Sequence, residues 1–294
     1  MSDILTRVIS ENGKTFGIAC DTTALVNEAC RKHDVGPLAA VALGRALTGS
    51  ILMGALLKGD QYLQLKFEGN GPLGKIITEA SPDGWCRGYI ANPHAELPLL
   101  NGRLDVAGGV GHAGLLSVTK DIGMKQKYQG TSHLVSSEIG EDIAYYLTTS
   151  EQVPSAVGLG IQLNPNGTID AAGGFLIQSL PPADEELIAS MEEVIANLPS
   201  ISSMILDGQS PRQMLDKLFG AIPHKETGNS KLKYQCSCSR EKMENALISL
   251  GAADLASLLT ERGEAEVLCE FCRQNYHFAG KDLQEIIDRL KNIQ

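Results

Sequence analysis

The chain has 294 residues, 43% apolar and 20% charged, enough for one large core or two unequal domains of an ordinary soluble protein. Lys and Arg total 25 against 35 Asp and Glu, and the formal net charge of -10 argues against nucleic-acid binding by bulk electrostatics, leaving only a local basic patch open. No uninterrupted apolar run reaches membrane-spanning length: the richest, AAVALGRALTGSILMGALL, carries an arginine and three glycines and reads as a buried helix.

The N-terminal MSDILTRVISENGKTF lacks a signal-peptide layout, so a cytosolic location is the default expectation. Strands are predicted around Leu5–Ile9 and Thr15–Ile18, then a short helix over Thr23–Arg31 with Asp21 as a candidate cap. Pro37 suits the first turn of a long Ala- and Gly-rich helix reaching Leu57, whose small residues suit tight burial against a sheet. In YLQLKFEGNGPLGKII, Leu63, Leu65 and Phe67 alternate with Gln64 and Lys66, which is the pattern of a half-buried strand. The chain turns at Gly69-Asn70-Gly71 and returns over Leu73–Thr78. A further strand is expected at 85–90, and LLSVTKD is the one strand expected between 91 and 135. EIGEDIAYYLTTSEQ, 138–152, reads as a helix, and two apolar runs around Asn166-Gly167 read as a hairpin.

Composition changes at Leu180-Pro181-Pro182, an exit from the sheet domain. ADEELIASMEEVIANL, 183–198, has helical periodicity, and SPRQMLDKLFG, 210–220, has Ser210 as cap, Pro211 in the first turn and a terminal glycine. PHKETGNS reads as a polar loop. Residues 181–231 are thus an amphipathic connector, short of core, that should lean on a neighbour. The tail then offers a helix capped by Ser239, a second helix in DLASLLTERG, a strand–turn–strand in EVLCEFCRQNYHF and a closing helix in KDLQEIIDRL.

Of seven cysteines, Cys20, Cys30 and Cys86 are scattered and read as buried small hydrophobes or spare thiols. The other four form two pairs, Cys236 with Cys238 and Cys269 with Cys272, separated by 30 residues. A reducing cytosol disfavours permanent structural disulfides there. Two thiol pairs with two short helices between them match the general form of a four-thiolate site for tetrahedral Zn²⁺. A domain of about sixty residues with few large apolar groups also needs such a staple. CEFC makes a good knuckle, whereas CSC is a tighter bite than usual. Structural zinc, zinc with redox switching, an iron–sulfur cluster and an unmetallated redox dithiol all remain open. Catalytic zinc is disfavoured, since four thiolates leave no position for water. Zinc-bound thiolates are already deprotonated, so an accessible one is open to oxidation.

CSCSRE followed by VLCEFCRQNYHF resembles the zinc-binding end of the thirty-three-kilodalton redox-regulated heat-shock chaperone (chaperonin) family of bacteria. TKDIG at 119–123, YQG at 128–130 and YYLTTSEQVP at 145–154 are similar to motifs of that family's N-terminal domain, so the resemblance spans essentially the whole chain. It implies an ATP-independent holdase for unfolding proteins. It implies a reduced, nearly inactive state with zinc on Cys236, Cys238, Cys269 and Cys272. Oxidants under unfolding conditions would form Cys236–Cys238 and Cys269–Cys272 disulfides, expel zinc, unfold the linker and favour a homodimer. It implies an α+β fold: a large, mainly antiparallel sheet domain over 1–180, a helical linker over 181–231 and a zinc-binding domain over 232–294. No phosphate-binding loop of the Gly-x4-Gly-Lys-Ser/Thr form is present, in keeping with independence from ATP. A disulfide across CSC demands unusual geometry and backbone movement, a physical reason for a switch that needs unfolding as well as oxidant.

Other residues carry weaker signals. His277 follows Cys272 by five residues, but four thiolates suffice and a packing or surface role is preferred. His94, His112 and His133 show no metal spacing, and no nucleophile elbow supports a hydrolase, so an enzyme is not expected. GGVGHAG at 108–114 reads as a tight turn before an anion loop. Trp85 and Tyr89 fit a core role as well as a client surface. The alternatives to a redox-activated chaperone are a structural-zinc interaction module whose cysteines never switch, a thiol oxidoreductase and, weakest, a zinc-dependent nucleic-acid binder.

Overall fold

The computed structural model describes residues 3–124, 126–181 and 185–293. Pro182 and the first two residues of the helix expected at 183–198 lie outside the described residues. The chain forms two compact units, Met1–Gln235 and Cys236–Gln294.

The larger unit opens with a hairpin, β1 (Ile4–Ser10) and β2 (Thr15–Asp21), then helices α1 (Thr23–His33) and α2 (Pro37–Gly54). The meander β3 (Tyr62–Gly69), β4 (Lys75–Ala80) and β5 (Trp85–Ile90) follows. Next come α3 (Val106–Val110), β6 (Gly114–Asp121), β7 (Tyr128–His133), α4 (Gly140–Thr149) and the hairpin β8 (Ser155–Leu163) with β9 (Ile169–Ser179). Three helices succeed them, α5 (Glu185–Ala196), α6 (Ile201–Leu206) and α7 (Pro211–Phe219). Two late strands, β10 (His224–Lys231) and β11 (Lys233–Tyr234), end the unit.

The expected α+β class holds. One sheet has five strands in the order β10-β1-β2-β9-β8, and the other six in the order β11-β5-β4-β3-β6-β7. Every pairing is antiparallel except the short β11–β5 pair. Helix α2 packs on strands of both sheets, more than the single sheet expected, and its glycines make this possible. A Cβ on Gly44 would lie 2.9 Å from Val26 Cγ1 and 3.1 Å from Ile161 Cδ1. Among the described residues α2 is the single helix long and apolar enough to cross a membrane, and 89% of its apolar window is buried inside the protein.

Helix α1 starts where expected, but two carboxylates share its N-terminus. Asp21 Oδ1 accepts from the Thr23 amide at 3.0 Å, and the buried Asp3 accepts from the Ala24 and Leu25 amides at 2.9 and 2.6 Å. Burial outweighs these bonds and pushes the Asp3 carboxyl up to about 6. GGVGHAG proves to be a packing segment rather than an anion loop: Gly71 N–H donates to Val110 O at 2.9 Å and Leu73 N–H to Gly109 O at 3.0 Å.

The connector helices lean on the five-stranded sheet. Met191, Ile201, Met204, Met214, Leu215, Leu218 and Phe219 form one buried cluster with Val8, Ala19, Phe175 and Ile177 of that sheet. Contact is close: a Cβ on Gly17 would stand 2.6 Å from Phe219 Cε2 and 3.1 Å from Leu215 Cδ2. Ser210 caps α7 as predicted, its hydroxyl accepting from the Gln213 amide at 3.3 Å.

One expectation fails here. PHKETGNS is not a loop, because His224–Lys231 forms β10 and pairs with β1 from Ile4↔Lys231 to Ser10↔His224. Its alternation is absent because both its faces are polar; the ladder to β1 and side-chain bonds such as Thr6 Oγ1 to Asn229 Oδ1 at 2.7 Å hold it. The chain then crosses to the other sheet. Leu232 N–H donates to Asp3 O at 3.0 Å, and Gln235 N–H donates to Cys86 O at 3.0 Å. Tyr234, buried, places its hydroxyl 3.2 Å from both His33 Nε2 and the Gly88 carbonyl.

The smaller unit comprises α8 (Arg240–Ile248), α9 (Ala252–Arg262), the hairpin β12 (Glu264–Leu268) and β13 (Asn275–Ala279), and α10 (Gly280–Ile293). Its core is Leu247, Leu255, Ala265, Phe278, Leu283, Ile286 and Ile287. Helix α10 supplies three of these at the spacing of one helical face.

Candidate metal centre

Two short turns present the paired cysteines. Ser239 caps α8, its hydroxyl accepting from the Lys242 amide at 3.2 Å, and this fixes the chain just after Cys238. Lys242 Nζ reaches back to donate to Ser237 O at 2.7 Å, clamping the residue between Cys236 and Cys238. Cys269 and Cys272 lie in the turn between β12 and β13. There Cys269 N–H donates to Gln274 O at 2.9 Å and Arg273 N–H to Cys269 O at 2.8 Å. Arg273 adopts a φ of 60°, the left-handed conformation that completes the knuckle.

The four sulfurs converge, all within 4.8 Å of one another. Cys236 Sγ and Cys269 Sγ are 3.7 Å apart, and Cys238 Sγ and Cys272 Sγ 3.4 Å. A tetrahedron with Zn–S bonds of about 2.3 Å has S···S edges of about 3.8 Å. The sulfurs therefore fit a single tetrahedral ion, and the group can coordinate a metal. An iron–sulfur cluster, with irons and sulfides between its thiolates, needs them farther apart. Both of these contacts join one motif to the other.

Surroundings set Cys238 apart from Cys269 and Cys272. Burial pushes Cys238 up, but the Tyr276 hydroxyl, donating at 3.1 Å, and the neighbouring thiols outweigh it and bring Cys238 down to about 7. Burial raises Cys269, against opposing bonds from the Cys272 and Phe271 amides, and burial likewise raises Cys272. The bond to Cys238 pushes the Tyr276 hydroxyl itself up to about 12. A depressed thiol pKa stabilises the metal-free fold above the unfolded value of 9, and Cys238 loses that contribution as pH falls through about 7.

Tyr276 is the residue that the sequence did not reveal. Its position opposite Val267 in the β12–β13 register aims the hydroxyl at Cys238. Tyr276→Phe is expected to raise the Cys238 pKa and weaken metal binding by about 10- to 100-fold, the usual effect of losing a bond to a metal ligand. Competition against a chromogenic chelator measures it.

Other residues fall elsewhere. His277 Nε2 lies 2.8 Å from Glu264 Oε2, a surface pair apart from the four sulfurs. Cys20, Cys30 and Cys86 are buried in the larger unit, where burial raises their thiols, Cys30 to about 12, and leaves them unreactive. Trp85 and Tyr89 are half-buried on the face of the six-stranded sheet opposite Cys86, with Trp85 6.4 Å from the Tyr62 ring.

Residues 3–279 match the family model described as Hsp33 protein. A 33 kDa chaperonin of Geobacter sulfurreducens is 49% identical over 293 residues, covering 100% of this chain and 97% of the relative. One from Bacillus velezensis is 43% identical over 97% of this chain and 98% of its own length. The crystal structure of the 33 kDa chaperonin (heat shock protein 33 homolog) of Thermotoga maritima superposes with a TM-score of 0.92 at 35% identity, covering 99% of this chain and 100% of that one. Sequence over nearly the full length, fold and converging thiols agree: the chain belongs to the Hsp33 family, the redox-regulated 33 kDa heat-shock chaperonins.

Proposed function

We propose that this chain is a cytoplasmic, ATP-independent holdase that captures unfolding proteins under oxidative stress. Members of its family are chaperones and not enzymes. The observation that carries the reading is the convergence of Cys236, Cys238, Cys269 and Cys272 in a unit with a small core. Zinc bound there would keep the four sulfurs as thiolates and staple the two turns together. Oxidation of Cys269 with Cys272 and of Cys236 with Cys238, each pair losing two electrons to the oxidant, removes every ligand. Cys236–Gln294 then lacks its staple.

The division into a core over 1–180, a linker over 181–231 and a switch domain over 232–294 gives this loss a route. Cys236 directly follows Gln235, whose amide is bonded to Cys86 O. Strands β10 and β11 are both edge strands, joined to their sheets on one side only. Edge pairings fray first when the following chain unfolds. Release of β10 and α5–α7 bares the apolar face of the five-stranded sheet, a surface for exposed apolar segments of clients. Two such faces also explain dimerisation on activation. Nucleic acid and membrane are not partners in this reading, as the net charge of -10 and the burial of α2 support.

The test starts from reduced, zinc-loaded protein exposed to peroxide at elevated temperature. Zinc release, disulfide mapping and suppression of client aggregation should move together. Full zinc retention with no gain in client protection would sink the switch. Turnover of substrate disulfides would favour a thiol oxidoreductase.

A further inference from the structure

Seven methionines occur in the chain, and three of them share one place. Each connector helix carries a single methionine: Met191 in α5, Met204 in α6 and Met214 in α7. All three lie in the buried cluster against Val8, Ala19, Phe175 and Ile177, with exposures of 6%, 0% and 0%. We propose that Met191, Met204 and Met214 form a second oxidation site, whose sulfoxides hold the connector helices off the five-stranded sheet after the disulfides have been reduced.

The inference rests on the reading that these helices leave the sheet on activation. While docked, the thioethers are shielded from solvent. Once released, they meet the same oxidants as the cysteines. With a hypohalous acid the chemistry balances simply. The thioether sulfur loses two electrons and gains oxygen, and hypochlorous acid is reduced to chloride with release of a proton. Reversal needs a sulfoxide reductase, in which a dithiol becomes a disulfide and the oxygen leaves as water.

The product cannot return to where the thioether sat. A sulfoxide oxygen is a strong acceptor, and the buried cluster that these thioethers pack into is built of apolar side chains. Re-docking would bury an unsatisfied polar group at each of three positions. Thioether and isobutyl groups, by contrast, exchange with little cost in a packed core. The other methionines serve as internal references: Met124 is 69% exposed, and Met53 is 1% exposed inside α2.

The experiment uses the full chain and the variant M191L/M204L/M214L. Both are zinc-loaded, activated with hypochlorous acid, then returned to dithiothreitol and zinc. Peptide mass mapping follows the sulfoxides, limited proteolysis follows linker docking, and light scattering follows client protection. The expected result has Met124 oxidised in both docked and released protein, and Met191, Met204 and Met214 oxidised only after release. The oxidised natural chain should then retain client protection on reduction, with re-docking on the order of tenfold less complete than in the leucine variant. Added methionine sulfoxide reductase should restore re-docking of the oxidised natural chain, a comparison that needs no variant. Complete re-docking by chains carrying all three sulfoxides overturns the proposal, as does survival of the three thioethers in released protein. If neither protein gains client protection on oxidation, the holdase reading itself fails and takes this one with it.

Discussion

Cys269→Ser is expected to abolish tight metal binding and to unfold Cys236–Gln294, while the two large sheets persist. Cys269 is 4% exposed, and its sulfur accepts bonds from the Cys272 and Phe271 amides. Serine cannot supply the soft thiolate, and its shorter side chain draws the acceptor away from both amides. Structural zinc sites contribute about 10–16 kcal/mol of folding free energy, or ~3–4 kcal/mol per thiolate when shared over four. Loss of one ligand therefore lowers affinity by roughly 10²- to 10³-fold. A single core in a domain this small contributes at most about 3–5 kcal/mol, so a metal held by the four thiolates would decide whether the unit folds. Chelator titration and amide exchange measure the two effects. Cys30→Ser, at another buried cysteine away from the cluster, should bind metal as before. Retention of one tightly held ion by the Cys269 variant would refute the assignment.

Phe219→Ala should switch on client protection in reduced, metal-loaded protein. Phe219 is 1% exposed at the end of α7, with its ring against Gly17 of β2 and 4.7 Å from the His224 ring at the start of β10. Truncating a buried phenylalanine costs about 3–5 kcal/mol. That loss falls on the docking of α7 and on the first residue of β10, while the sheet beneath keeps its own ladders. Gly17→Val tests the same contact from the other side, because its new side chain collides with Phe219 and Leu215. Limited proteolysis should show released connector helices in both variants, and aggregation of an unfolded client should fall without oxidant. Released helices with no client protection would show that the face beneath them is not the client surface.

Both effects depend on features of unequal visibility in the sequence. The cysteine pairs were legible because paired soft ligands at knuckle spacing have few uses besides metal and redox chemistry. The capped α7 was legible through Ser210 and Pro211, and the β8–β9 hairpin through Asn166-Gly167. Strand β10 was not, because HKETGNSK has no apolar residue and owes its conformation to the edge of β1. YQGTSH, with Tyr128 its one apolar residue, gave no alternation to mark β7, which lies at the far edge of the other sheet. The short α6 and the glycine-rich α3 fall below the length at which periodicity shows. Tyr276 escaped because its partner is set by cross-strand register, and Asp3 because it caps a helix some twenty residues away.

The β1–β10 pairing also has a consequence for how the chain is made. Thr6 and Asn229 are 223 residues apart, so the first strand synthesised waits for one of the last. At roughly 5–20 residues per second, the ribosome takes about 11–45 s to deliver that partner. For most of that interval α5–α7 are incomplete, and the first hairpin has neither its edge strand nor its full helical cover. Every molecule thus passes through an uncovered stage at birth, in which β1 is paired with β2 on one edge and stays open on the other until its own closing segment arrives.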